Sequence, residues 1–368
     1  MEIIKIKNKT IGGKSPCFVI AEAGVNHNGD VKLAKKLIDE AKKAGADAVK
    51  FQTFKAEEIV TMEAKQAKYQ TKNIGKAESQ YEMLKRLELS YDDFRNLKTY
   101  CDRKKIIFLS TPHSSKEDVD LVARLCLAVK IGSGDLTNLP ILKYIAKKQL
   151  PIILSTGMAT LKEVKEAVKL IVPINKRLIL LHCTTNYPTP PKEVNLKAMI
   201  TMKKEFKLPI GYSDHTEGIN ASLAAVALGA KVIEKHFTLN RDFSGPDHKA
   251  SLEPKELQEM VCGIREIEKK LAKGENPANI LNQLNAKKLL GSGTKKPTIS
   301  ELEIAKVVRK SIVASKEIGK GTIITEEMLA IKRPGTGIKP KYFDEMVGKV
   351  AKKDIRKGEL ISWQEVTK

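Results

Sequence analysis

The 368-residue chain is 42% hydrophobic and 30% charged and carries a net charge of +22. That apolar content supplies a core and excludes a mostly disordered polypeptide, and no stretch approaches the roughly 18 uncharged apolar residues of a membrane span. The positive charge is spread over both halves with no run of about five or six like charges, and aromatics make up 5%, so neither a nucleic-acid stripe nor a base-stacking platform is indicated.

The N-terminal segment Met1–Thr10 alternates Ile with Lys and Asn and lacks the apolar stretch of a secretion signal. From Phe18 a repeating beat begins: a short apolar run, a polar loop, then an amphipathic stretch. The runs are Phe18–Ala23, Ala48–Phe51, Ile106–Leu109, Leu127–Ile131, Pro151–Leu154, Leu178–Leu181, Pro209–Tyr212 and Lys231–Ile233. Short runs without alternation suit strands buried on both faces, as in a parallel sheet. Helical patterns lie between them over Val31–Ala44, Tyr91–Lys104, Lys116–Leu125, Pro140–Lys148, Leu161–Leu170 and Gly218–Leu228. Gly45 and Gly229 stand where helix ends need left-handed caps. Eight evenly spaced strand–helix units predict an α/β protein with a (β/α)8 TIM barrel, rather than an open doubly wound sheet. The expected barrel domain spans residues 1–273.

A Lys- and Asn-rich stretch with Gly274, Pro277, Gly291, Gly293 and Pro297 breaks the beat and predicts a linker over 274–303. The remaining 304–368 hold a near-repeat, in which Ala314–Ile324 matches Ala351–Ile361. Each copy offers an apolar strand, a Lys-Gly turn and a second strand, so a small, mostly β domain is expected. The five cysteines form no C-x-x-C pair, which argues against a zinc knuckle or a disulfide framework and for the reducing cytoplasm.

Barrel active sites are built at the C-terminal strand ends, so the residues closing each run are the candidates. All six histidines (His27, His113, His182, His215, His236 and His248) fall at these ends or just after the last run. His215 and His236 close neighbouring strands, where two neutral imidazoles would share one divalent ion with open positions left for substrate oxygen. Lys50 and Lys130 interrupt apolar runs, which is costly unless each meets a carboxylate such as Glu22 or Asp135, or a bound anion. Ser133, Ser155 and Ser213, flanked by Gly132, Gly134 and Gly157, add hydroxyls and bare backbone N–H groups, a cradle for phosphate and carboxylate.

Taken together, the segments IAEAGVNHNG, VKFQTF, STPHS, VKIGSGDLTNLP, LSTGM, HCTTNYPTP, IGYSDHT, EKHFTL and GPDHKAS resemble the sialic acid synthase family. VASKEIGKG, TEEML and IKRPG resemble its C-terminal antifreeze-like (SAF) domain. The resemblance implies condensation of phosphoenolpyruvate with an N-acetylmannosamine-type sugar to give a nine-carbon acid, N-acetylneuraminic or legionaminic, and phosphate. It implies that Lys50, Lys130, Ser133, Ser155 and Ser213 hold phosphoenolpyruvate. It places Glu22, Gln52, Thr111, Asp135, Tyr187 and Asp247 at the amino sugar, joined by Arg333 from the antifreeze-like domain of a partner subunit in an exchanged homodimer. His215 and His236 would bind Mn2+, with Mg2+ or Co2+ as alternatives; Glu22 or Glu234, as carboxylates near the proposed ion, would move protons. Thr185, followed by Asn186, stands where some members use an asparagine on phosphoenolpyruvate, and Asp135 replaces a glutamate of some bacterial members. The exact sugar, including a 6-phosphorylated one, is open. The rivals are a related phosphoenolpyruvate-dependent synthase or metal aldolase, and a non-catalytic carbohydrate- or nucleic-acid-binding protein. No membrane partner is expected.

Overall fold

The structure, a computed structural model, describes residues 3–113 and 115–367, so Ser114 of the STPHS segment lies outside it. The chain opens with an antiparallel hairpin, β1 Ile4–Ile6 and β2 Lys9–Ile11. The alternation of Ile with polar residues buries Ile4, Ile6 and Ile11 against Phe18, Ile20, Ile153 and Ile179, which plugs the N-terminal end of the barrel.

The eight apolar runs are eight strands of one parallel sheet: β3 Phe18–Gly24, β4 Ala48–Thr53, β5 Ile107–Pro112, β6 Val129–Ile131, β7 Ile152–Ser155, β8 Leu178–Cys183, β9 Ile210–Asp214 and β10 Val232–His236. They pair in the order β5-β4-β3-β10-β9-β8-β7-β6, and β5 lies against β6, so the ring closes in chain order. Each strand is followed by a helix: α1 Val31–Lys43, α2 Tyr91–Lys104, α3 Lys116–Leu125, α4 Leu139–Lys147, α5 Leu161–Ile171, α6 Lys197–Phe206, α7 Asn220–Ala227 and α8 Pro254–Ala272. Buried apolar stripes of these helices cover the outer face of the strands in one core. Helix starts follow the side-chain chemistry. Ser90 and Thr160 accept from Asp93 N and Glu163 N, whose carboxylates return to the cap backbone, a reciprocal box that satisfies orphan donors. Gly45 (φ 83°) and Gly229 (φ 91°) take the left-handed positions expected of them.

Several strands run further than their apolar runs. Strand β5 continues through Ser110, Thr111 and Pro112, and β10 through Glu234, Lys235 and His236, all buried. The parallel ladders satisfy the backbone there, and the period-2 alternation sends successive side chains to opposite faces. Residues 54–90, between β4 and α2, form an insertion of short helices over Ala56–Ile59, Lys68–Ile74 and Gln80–Leu87, with its own apolar cluster of Phe54, Ile59, Val60, Met83, Leu84 and Leu87.

The stretch expected as a linker is largely structured. Pro277–Gln283 and Lys287–Leu290 are helical and bury Ile280 and Leu289 against the barrel. Residues 291–298 then run extended over the surface, where Asn195 receives Gly293 N and Leu161 N donates to Lys295 O. They lead into α9, Ile299–Val308. The small domain follows with β11 Ser311–Ala314 antiparallel to β12 Leu329–Lys332. Its two sequence copies are related as the repeat implies. Ile318 and Ile355, equivalent positions, exchange both backbone hydrogen bonds, while Gly321 N donates to Ala351 O and Gly358 N to Ala314 O. The equivalent isoleucines meet in the domain core.

Candidate active site

At the C-terminal ends of the strands a charge cluster sits in the barrel mouth. Parallel pairing puts Lys50 beside Glu22, His236 beside Glu22, and Glu234 beside Ser213. Lys50 Nζ lies 2.7 Å from Glu22 and 3.8 Å from Glu234, and donates to Thr111 Oγ1 at 3.0 Å. Lys130 Nζ lies 3.5 Å from Glu234 and donates to Ser155 Oγ at 2.8 Å. Ser213 Oγ donates to Glu234 at 2.9 Å, and Gln52 donates to Glu22 at 3.2 Å. The two lysines and two glutamates are at most 4% exposed, so each charge persists through its partners.

The two carboxylates are driven apart. Burial pushes Glu22 up to about 7; the attraction of Lys50 only partly offsets it, and repulsion from Glu234 adds to it. Burial acts on Glu234 in the same direction, but Lys130 first and Lys50 next outweigh it and hold that carboxyl below its ordinary range. One group titrates near neutral pH and the other stays ionised. Such a split assigns separate roles to a pair of acids.

His215 and His236 stand together with ring centroids 5.7 Å apart. Burial lowers both, and for His236 neighbouring His215 and Lys50 lower it further, so both rings are neutral at pH 7. His215 Nδ1 donates to Thr184 O at 2.7 Å, which fixes its tautomer and leaves Nε2 as a lone-pair donor. His236 Nδ1 is buried and has no hydrogen-bond partner among the described residues. Two neutral imidazoles, one with an oriented second nitrogen and one with an orphaned atom, fit a divalent ion. Among the described residues no third His, Cys, Asp or Glu joins them in a metal-binding group. Behind them, facing away from the mouth, Lys235 and Asp214 form a fully buried ion pair at 3.0 Å, and Asp214 also accepts from Thr216 and Ser222.

Of the other histidines, only His113 lines the same cavity. His27 Nδ1 accepts from Gly29 N, His182 Nε2 bonds Val194 O, and His248 bridges Thr238 and Asn28. The six therefore divide into three at the mouth and three that tie loops, which corrects the expectation of a single histidine rim.

Nearly every expected side chain lines this one cavity. Lys50, Lys130, Ser133, Ser155 and Ser213, expected at phosphoenolpyruvate, do so, as do Gln52, Thr111, Tyr187, Asp247 and Arg333, expected at the sugar, and Glu22, Glu234, His215 and His236. Tyr187 packs its ring 4.2 Å from that of His215. Thr185, not Asn186, faces the cavity. Asp135 does not line it. Its carboxylate is 2.6 Å from Lys310 Nζ and accepts from Asn138, so it clasps the segment leading into the small domain. The reason is the buried Lys310 ammonium, which pairs with the acid beside it and also reaches His113 O.

Arg333 is 9% exposed, and its backbone pairs with the insertion: Arg333 N donates to Ile59 O, and Thr61 N to Arg333 O. Its guanidinium reaches Gln80 Oε1 at 3.5 Å. In this chain it lines the mouth of the barrel that precedes it. The physical reason is the anchorage just upstream. Arg309 binds Glu163 and Met158 O, and Lys310 binds Asp135. The small domain thus starts at the rim of its own barrel and closes over it. Sequence reasoning missed Tyr69, Lys310 and the Asp214–Lys235 pair. For the last there was a signal, since each charge sits inside a strand one residue before a site histidine.

The NeuB family matches residues 37–276, and the SAF domain matches residues 309–367. The chain is 50% identical over 348 residues to the N,N'-diacetyllegionaminic acid synthase of Campylobacter jejuni, covering 94% of this chain and 98% of that protein. It is 44% identical to the protein of the same name from Legionella pneumophila, covering 97% of each. Its fold superposes with a TM-score of 0.83 on the crystal structure of the spore coat polysaccharide biosynthesis protein SpsE of Bacillus subtilis, at 36% identity over 100% of this chain and 99% of that one.

Proposed function

The chain belongs to the NeuB family and carries a SAF domain as its lid, and from that premise we propose that it condenses phosphoenolpyruvate with an N-acetylated amino sugar of the mannosamine type, forming a nonulosonic acid and phosphate. N,N'-diacetyllegionaminic acid is the product we favour, because two relatives at 44–50% identity bear that name. The observation that carries the reading is the buried Lys50–Glu22–Glu234–Lys130 cluster standing beside two neutral imidazoles.

Lys50 and Lys130 bind the carboxylate and phosphate of phosphoenolpyruvate, and Ser133, Ser155 and Ser213 add hydroxyl donors. His215 and His236 would hold Mn2+ or a similar ion; when bound, the ion polarises the carbonyl of the open-chain sugar. C3 of phosphoenolpyruvate attacks the aldehyde carbon, water adds at C2, and the C2–O bond to phosphate then breaks. Glu22, whose carboxyl titrates near neutral pH, takes the proton of the attacking water, and the alkoxide formed from the aldehyde takes one up. Glu234 stays ionised and balances the two lysines. Arg333 offers fixed donors to the sugar's hydroxyl or acyl groups, and the closed small domain excludes water.

A homodimer is part of this proposal. Ile299 and Leu302 leave apolar surface on α9, 86% and 53% exposed, and a second copy of the chain is the proposed cover. No described helix is long and apolar enough to cross a membrane. A cytoplasmic location is proposed on the five free thiols. A purely binding protein has no use for two buried carboxylates tuned apart, which disfavours that rival.

The test is to offer the purified protein phosphoenolpyruvate and Mn2+ with each of three sugars: N-acetylmannosamine, its 6-phosphate and 2,4-diacetamido-2,4,6-trideoxymannose. Phosphate release and product mass are then read. The diacetamido sugar should react fastest; turnover with none of the three would overturn the reading.

A further inference from the structure

Helix α9, which joins the barrel to the small domain, carries Glu301 in its first turn. This carboxylate is 2% exposed. One oxygen, Oε2, accepts from Thr298 N and completes the helix cap. The other, Oε1, accepts from two backbone amides outside the helix: Met158 N at 2.7 Å and Thr185 N at 2.8 Å. Those amides belong to the loops after β7 and β8. Met158 is left-handed at φ 57°, a conformation that persists when its surroundings hold it on several sides. Here α9 grips the residue twice, through Glu301 at its N–H and, just past the helix end, through Arg309 at its carbonyl.

Between the two gripped residues lies the phosphate side of the cavity. Gly157 N donates to Ser133 Oγ. A Cβ at Gly157 would fall 2.1 Å from Thr185 Oγ1 and 2.8 Å from Ser133 Oγ, so only glycine lets these loops close on each other. Thr185 Oγ1 is buried, lines the cavity and has no hydrogen-bond partner among the described residues. An orphaned hydroxyl facing a cavity is a ligand contact in waiting.

We infer that Glu301 is a positioning residue for the phosphate half of the substrate site, holding the loops after β7 and β8 so that the Thr185 hydroxyl and the serine cradle face the phosphate of phosphoenolpyruvate. The inference rests on the proposed function. It also ties the region outside the barrel to the first substrate: the helix that carries the lid shapes the cradle beneath it.

Glu301→Asp separates this role from helix capping. Aspartate at this position keeps the capping contact, as Asp93 does in α2, but its carboxylate stops one methylene short of both loop amides. Titration calorimetry of the full-length protein with phosphoenolpyruvate alone should show affinity about tenfold weaker, the order expected for a lost charge-assisted contact. In steady-state assays the KM for the sugar should stay within about twofold of wild type. Glu301→Gln, which keeps a carbonyl oxygen for both amides, should restore most of the phosphoenolpyruvate affinity. Lys310→Met loosens the lid at the other end of α9 and should show the converse, a raised sugar KM with phosphoenolpyruvate binding unchanged. Unchanged phosphoenolpyruvate affinity in Glu301→Asp, or equal damage to both substrates, overturns the inference. Wild-type protein that binds no phosphoenolpyruvate overturns instead the functional reading beneath it.

Discussion

Lys130→Met tests the phosphoenolpyruvate side most directly. Lys130 Nζ donates to Ser155 Oγ at 2.8 Å, lies 3.5 Å from Glu234 and is 3% exposed. Methionine keeps most of the stem's volume and removes the charge. In the free protein Glu234 retains Lys50 at 3.8 Å and the Ser213 hydroxyl at 2.9 Å, so it is not left as an isolated buried charge. With phosphoenolpyruvate bound, the variant lacks one charge-assisted contact to an anionic group. Such a contact contributes about 1.5–3 kcal/mol, or about tenfold to a hundredfold in binding. Deep burial favours the upper end, because little solvent replaces the ammonium. The assay is phosphate release at saturating sugar for the KM of phosphoenolpyruvate, then the reverse for the sugar. The expected result is a rise of that size for phosphoenolpyruvate with the sugar KM nearly unchanged. A sugar KM that rises while that of phosphoenolpyruvate stays fixed would refute the assignment of the cradle.

Three further outcomes are expected. His215→Ala and His236→Ala should each weaken Mn2+ binding, read by electron paramagnetic resonance of the free ion, by about tenfold or more while far-ultraviolet circular dichroism stays that of a folded barrel; wild-type affinity in either variant removes that histidine from the metal site. The kcat/KM–pH profile should fall as pH drops through about 7, because Glu22 is pushed up to about 7 and a protonated carboxyl cannot accept the water's proton. His215 and His236 are lowered below their usual value and are already neutral there, so Glu22→Gln should erase the inflection, and its persistence would clear Glu22 of the role. Finally, Arg333→Ala and His236→Ala should each be inactive, and their mixture should stay inactive under proven subunit exchange if Arg333 serves the cavity it lines in its own chain; recovered activity would establish lids exchanged between chains.

Much of this was legible before any coordinates, for a physical reason. In a parallel barrel, strands buried on both faces must be continuous apolar runs, so a lysine or glutamate at a run's end is conspicuous. Lys50, Lys130 and Glu22 were found in this way, and the closed ring put them in one mouth with Glu234. The same rule overreached with histidine. His27, His182 and His248 stand at strand ends or in nearby loops yet spend ring nitrogens on groups within those loops or on neighbouring ones, and nothing in the spacing separates a loop tie from a ligand.

What stayed hidden lies outside the strand rhythm. Residues 54–90 carry no long period, yet they supply Tyr69 to the cavity wall and Ile59 and Thr61 to the pairing that seats Arg333. Asp135 shows the limit most clearly. Its place after β6 marks it as a site residue, and by position alone it belongs with the sugar. Its partner is set by Lys310, 175 residues later in the chain, and a buried carboxylate goes to the nearest buried ammonium. Lys310 is buried only because α9 and the small domain close the mouth. The assignment of Asp135 therefore depends on the lid's position, a long-range fact that no local pattern encodes. Opening the lid would expose both charges to water and weaken their pairing. In this structure the Asp135–Lys310 clasp stands together with the seat of Arg333 at the mouth of the cavity.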